Sequence, residues 1–202
     1  RHHGRQNLRL ALAALLAEGA VKLPQAEEFV LMGYSAGAIG ALFHVFDVAP
    51  HVRAVPRKYL LADAPGLHFG PKFWKKFTLE WIQDVESALQ RLNFRINRDQ
   101  GNLAGVIPII CRALPDWKVG ILLGTRDAVM ARVFGEISLD DHRDLVLGEN
   151  GLSGLTSDPS DNCSAWMPDT ALHTFLTTDH SSLQIKAGGK SAMQFLADLL
   201  EG

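Results

Sequence analysis

Apolar positions recur along the chain with two different periods, and the places where the period changes mark the elements. Leu8, Ala11, Leu12, Leu15 and Leu16 fall at i, i+3, i+4, i+7 and i+8, which predicts a helix stopped near Gly19. Phe29-Val30-Leu31-Met32 is a continuous apolar run, as expected for a strand buried on both faces, and a helix is predicted from Ala36 to Phe46. Tyr59-Leu60-Leu61-Ala62 reads as a second buried strand ended by Asp63 and Pro65-Gly66. Phe73, Phe77, Trp81, Val85 and Leu89 follow at intervals of four and predict one long helix. A polar loop over 95–105 precedes a third strand, Trp117 to Gly124, with a helix from Ala128 to Ile137 after it. Residues 148–170, rich in Gly, Ser and Asp with two prolines, read as a long surface loop or lid in which Trp166 is the best lid contact. A last helix carries Ala192, Phe195, Leu196, Leu199 and Leu200, and weaker strand candidates lie at 106–111 and 171–176.

Strands alternating with helices predict an α/β fold, a mostly parallel sheet with helices on both faces, in one domain over 1–202. The chain holds 20 Lys plus Arg against 22 Asp plus Glu, a balance that argues against a nucleic-acid partner. The 18 residues from Phe29 to Phe46 carry no charge, but their glycines, Ser35 and His44 suit strand, turn and buried helix better than a membrane span. Cys111 and Cys163 allow one bridge in an oxidising compartment, and two buried free thiols fit equally well. No signal peptide is visible at the start, and the first residue is Arg1.

Gly33-Tyr34-Ser35-Ala36-Gly37 is a G-x-S-x-G motif between a buried strand and a helix, the context in which a serine is lifted clear of a sheet. Flanking glycines are expected to relieve clashes across the turn, and the Ala36 amide at the helix start is aimed at an oxyanion. The alternative is a small-residue turn that only packs. Serine needs a base and the base an orienting acid, in chain order Ser, Asp/Glu, His. Order disfavours His2, His3, His44, His51 and His68, and His142 sits among Asp140, Asp141, Arg143 and Asp144 on what reads as a solvated face. His173 is favoured over His180, which resembles an exposed loop residue. Asp127, at the carboxyl end of the third strand, is the preferred acid over Asp63, with Asp169 and Asp179 further behind.

His2-His3-Gly4 with Asn7, Gly33-Tyr34-Ser35-Ala36-Gly37-Ala38-Ile39-Gly40-Ala41, Ala62-Asp63-Ala64-Pro65-Gly66, Thr125-Arg126-Asp127 and His173-Thr174-Phe175-Leu176 resemble, in order, the blocks of the pectin acetylesterase/Notum family. The resemblance implies an α/β-hydrolase-like fold and a serine carboxylesterase. Its nucleophile falls on Ser35, its acid on Asp127 and its base on His173, with the Ala36 amide in the oxyanion hole. Asp63 falls near the site without being the triad acid, and Tyr34, Gly37 and Trp166 are candidate lining residues. Family members carry an N-terminal region with a further oxyanion loop, so the chain reads as N-terminally shortened, which also accounts for finding only three clear strands. Two cysteines resemble the bacterial branch, and family precedent implies export.

The expected reaction is hydrolysis of an acyl ester, acetyl by resemblance, on a small molecule or polysaccharide. It needs no metal or organic cofactor, and the other Asp and His residues form no recognised metal-ligand spacing. The rival readings are a non-catalytic relic of the fold, serving as a binding module, and an acyltransferase or thioesterase on the same triad.

Overall fold

The computed structural model describes residues 4–19, 22–90, 92–96, 102–156 and 162–201. His2 and His3 of the first resemblance block lie outside them. Helix α1 (Gly4–Ala17) leads to strand β1 (Glu28–Tyr34), helix α2 (Ala36–Val48) and strand β2 (Arg57–Asp63). Helices α3 (Leu79–Gln90) and α4 (Ile107–Ala113) precede strand β3 (Trp117–Leu122). A π-helical segment (Val129–Gly135), α5 (Leu139–Leu147) and α6 (Leu152–Leu155) then lead to strand β4 (Cys163–Trp166). The two-residue strands β5 (Lys186–Ala187) and β6 (Lys190–Ser191) form a hairpin before helix α7 (Ala192–Glu201).

Strands β1 to β4 form a parallel sheet in sequence order, so every crossover passes through helix and every carboxyl end points the same way. The side-chain alternation of a strand divides the core in two. Leu60, Ala62, Val119 and Ile121 join Leu42 and Val45 of α2 and Ile107 and Ile110 of α4 on one face. Leu61 and Leu122 join Leu196 and Leu199 of α7 on the other. Gly120 is what lets α7 lie flat, since a Cβ there would come within 2.6 Å of Leu199 Cδ2. The expected mixed α/β architecture with a parallel sheet is therefore present.

Several elements depart from the sequence reading. β1 is not buried on both faces: it pairs with β2 alone among the described residues, and Val30, Met32 and Tyr34 on its second face are exposed. A continuous apolar run cannot distinguish an edge strand half covered from a central one. The run 106–111 belongs to a 3-10 turn and α4, with Pro108 in the first helical turn, where its missing N–H costs nothing. Residues 171–176 are irregular, and β4 lies inside the stretch read as loop 148–170. Cys163-Ser164-Ala165-Trp166 is too short for its pattern to register. Of the rest of that stretch, Leu152 of α6 is fully buried in the core.

The long helix read from Phe73 is two pieces, a 3-10 turn Phe73–Lys76 and α3, because the Thr78 hydroxyl accepts the Trp81 amide and restarts the helix. The interval of four survives the break as ring stacking, with Phe69 on Phe73 at 3.9 Å and Phe77 on Trp81 at 4.0 Å.

Cys111 of α4 and Cys163 of β4 form a disulfide with Cα atoms 6.1 Å apart. It ties a face helix to the last parallel strand across 52 residues of sequence, so it removes a large loop-closure entropy from the unfolded chain. Replacing both cysteines with alanine is expected to cost about 2–4 kcal/mol, read as a Tm lower by roughly 5–15 °C with the fold retained.

Candidate active site

Ser35 links β1 to α2 with φ 53° and ψ −126°, a conformation unfavourable for a residue with a side chain. Gly33 makes that turn possible: a Cβ on it would lie 2.2 Å from the Gly37 carbonyl oxygen and 2.7 Å from the Ala38 nitrogen. Gly37 is different, since a Cβ there meets nothing within 4 Å. Only the first of the two motif glycines is therefore sterically required, against the expectation that both relieve clashes. The Ser35 amide donates to the Asp63 carbonyl at 2.8 Å, joining the ends of β1 and β2. Ala36 opens α2, so its amide belongs to the first turn, whose N–H groups have no partner within the helix. Tyr34, at 57% exposure, stands beside the turn in solvent.

His173 Nε2 lies 2.7 Å from Ser35 Oγ, and His173 Nδ1 lies 2.6 Å from Asp127 Oδ2. A carboxylate only accepts, so the Nδ1 proton faces Asp127 and the Nε2 lone pair faces the serine hydroxyl. Asp127 is fully buried, and its two oxygens divide the work. Oδ2 takes His173, while Oδ1 accepts the amides of Val129 at 2.9 Å and Met130 at 3.0 Å. One oxygen thus anchors the start of the helical segment after β3 while the other holds the histidine.

The turns carrying Asp127 and His173 are laced backbone to backbone. Thr125, Arg126 and Ala128 amides donate to the carbonyls of Pro168, Thr170 and Ala171 at 3.0, 3.1 and 3.0 Å. Gly124 permits this approach, because a Cβ there would be 2.5 Å from the Leu172 carbonyl oxygen. Asp169 accepts from Thr125 Oγ1 and from Arg126 Nε, which holds its carboxyl below the usual range, and Arg126 also pairs with Asp140. Asp169 is thereby a brace for the turn, not an acid for the base. His180 is exposed, as expected for the rejected candidate.

Trp166 departs from its reading as a lid contact. It is buried at the end of β4, donates from Nε1 to the Lys190 carbonyl at 2.9 Å and packs edge-on against Phe175 at 4.9 Å. It supports the His173 loop from behind.

Asp63 is fully buried at the end of β2, where its carboxylate accepts the Phe175 amide (2.9 and 3.1 Å to the two oxygens) and the Leu176 amide (2.9 Å). Burial pushes its pKa up, opposed by those amides and by His173 and reinforced by Asp127.

His142 is also placed differently from its sequence reading as part of a solvated face. It is fully buried, and Nδ1 donates to the Thr125 carbonyl at 2.8 Å, two residues before Asp127. The charges around it in sequence lie on the other side of α5, whereas Leu139, His142 and Val146 fall at i, i+3 and i+7, a spacing that does mark the inner face. Its ring stands edge-to-face with that of His68, also fully buried, at 6.5 Å. Burial disfavours the charged form of both imidazoles: it lowers the His142 pKa and takes His68 from 6.5 to about 3, where two protonated rings side by side would also repel.

Among the described residues no group of three or more His, Cys, Asp or Glu is placed to hold a metal ion, and no helix is long and apolar enough to cross a membrane. The uncharged stretch Phe29–Phe46 is divided at Ser35 into β1 and α2. Comparison with protein-family models, with curated proteins and with solved structures finds no match to this chain.

Two predictions arise from this geometry. Gly33→Ala places a methyl group inside the Gly37 carbonyl, so it is expected to abolish the Ser35 conformation and cost more than about 3 kcal/mol in denaturant unfolding, whereas Gly37→Ala is expected to fold normally. For His68 the unfolded chain takes up a proton near pH 6.5 and the folded chain only near about 3. The unfolded state therefore binds more protons between those values, and stability is present above pH 6.5 and lost as pH falls toward 3. Tm measured from pH 7 to pH 4 is expected to fall, and His68→Phe is expected to flatten that fall.

Proposed function

We propose that the chain is a serine carboxylesterase of the α/β-hydrolase type, related to the pectin acetylesterase/Notum family, with Ser35, His173 and Asp127 as its triad. One observation carries the reading. Three side chains of types able to act as nucleophile, base and orienting acid are joined in series at 2.7 and 2.6 Å, with the serine on a strained strand-to-helix turn. A packing turn needs neither the strain nor a buried carboxylate behind the histidine.

In this mechanism Ser35 Oγ attacks the ester carbonyl carbon as its proton passes to His173 Nε2. The oxyanion is met by the Ala36 amide at the start of α2, where the helix dipole favours negative charge. His173 returns the proton to the departing alcohol oxygen as the carbon–oxygen bond breaks, leaving an acyl group on Ser35. Water then attacks that acyl group, giving its proton to His173. The tetrahedral intermediate collapses to the free acid, and Oγ recovers the proton. Asp127 keeps the Nδ1 proton in place throughout and stabilises the imidazolium.

The resemblance favours acetyl as the acyl group, and the exposed ring of Tyr34 beside Ser35 suits an open approach by a sugar-borne ester. The Cys111–Cys163 bridge supports an exported protein working in an oxidising compartment.

A fluorophosphonate probe followed by peptide mass spectrometry tests the reading. Wild-type protein is expected to be labelled on Ser35, Ser35→Ala not at all, and His173→Ala at least about 1,000-fold more slowly. Folded wild-type protein that stays unlabelled would remove the esterase reading in favour of a binding module. Hydrolysis of 4-nitrophenyl esters of increasing chain length, with added alcohols as competing acceptors, separates acetyl from long acyl groups and hydrolysis from transfer.

A further inference from the structure

Asp63 holds both halves of the candidate site, one with its backbone and one with its side chain. Its backbone carbonyl accepts the amide of Ser35, and its side chain accepts the amides of Phe175 and Leu176, two and three residues beyond His173. We infer that Asp63 is a positioning residue for His173, gripping the loop that carries the base and setting a second negative charge behind the imidazole. The inference rests on the esterase reading and adds to the triad a residue that touches no reacting atom.

A fully buried carboxylate is costly, and holding two amides does not by itself demand one: the carbonyl of an asparagine accepts hydrogen bonds too. An ionised carboxylate does two further things. With acceptor capacity on both oxygens and no donor, it can take both amides without turning an N–H toward either. It also favours the protonated form of His173, which the reaction generates each time Ser35 gives up its proton. The titratable groups facing Asp63 are His173 on the gripped loop and Asp127 on the turn after β3, so the imidazolium lies in the field of two carboxylates. Asp127 acts directly through Nδ1, whereas Asp63 acts through the backbone of the loop and through space. The next residue, Ala64, sits at φ 54° and donates its amide to the Leu122 carbonyl at 2.8 Å, so the chain leaves β2 by a strained turn that keeps Asp63 under the loop.

The test compares wild type with Asp63→Asn, reading the pH dependence of fluorophosphonate labelling, kcat and KM for 4-nitrophenyl acetate, and the His173 imidazole titration by NMR. The variant is expected to label and turn over about 10- to 100-fold more slowly with KM within about twofold, as for a base displaced by a fraction of an ångström. Its acid limb is expected to move to lower pH, because an anion favouring the imidazolium has been removed. A looser loop alone would slow the reaction and leave the limb in place. Wild-type rates with an unmoved limb in Asp63→Asn would overturn the inference while leaving the esterase reading intact. An unlabelled wild type whose His173 titration still shifts in the variant would sink the esterase reading and keep the positioning role. Should Asp63→Asn fail to fold, the Phe175 and Leu176 amide resonances of wild type decide: they are expected to move together in one carboxyl titration, and amides that stay still through the acid range would overturn the grip.

Discussion

The approach of the Gly37 carbonyl to Gly33 leaves room for a hydrogen atom and nothing larger, and the position of every group around Ser35 follows from that contact. Because the first turn of α2 can lie directly over the last residues of β1, the chain reverses within one residue, and that residue must take a positive φ. The serine then projects beyond the sheet while its amide is still bonded to β2. A parallel sheet does the rest: β2 and β3 end on the same side, so Asp63 and the turn bearing Asp127 arrive beside it without any long excursion.

How much of this was legible follows from the range of each interaction. The three strong strands, the elbow and the identities of Ser35, Asp127 and His173 are written in local pattern and chain order, and the structure brings those three side chains together. What sequence could not convey was how many neighbours an element has. An apolar run looks the same in β1, with one partner among the described residues, as in β2, with two. β4 escaped notice because its four residues owe their extended form to pairing with β3 and not to their own composition. Charges adjacent in sequence misled about His142, since neighbours along a helix point in different directions.

Buried polar groups form a continuous support beneath the site. Asp63 and Asp127 hold opposite ends of the His173 loop system, His142 holds the Thr125 carbonyl, and Trp166 fills the space behind Phe175. Backbone amides and carbonyls connect the turn bearing Asp127 to residues 168–171 at three points, so much of the spacing of those two segments is set by the main chain. Arg126 and Asp169 fasten the outer rim of the same turn. The result is an imidazole with few ways to move.

The separation of the three side chains along the chain has a consequence for how the site is assembled. His173 lies 138 residues after Ser35 and 46 after Asp127. The elbow is built from contiguous residues, β1 and α2, with β2 next in the chain. Its serine meets His173 only once the segment after β4 has folded back over the sheet. On the esterase reading the elbow alone is chemically mute, and the docking of the His173 segment is the step that arms it.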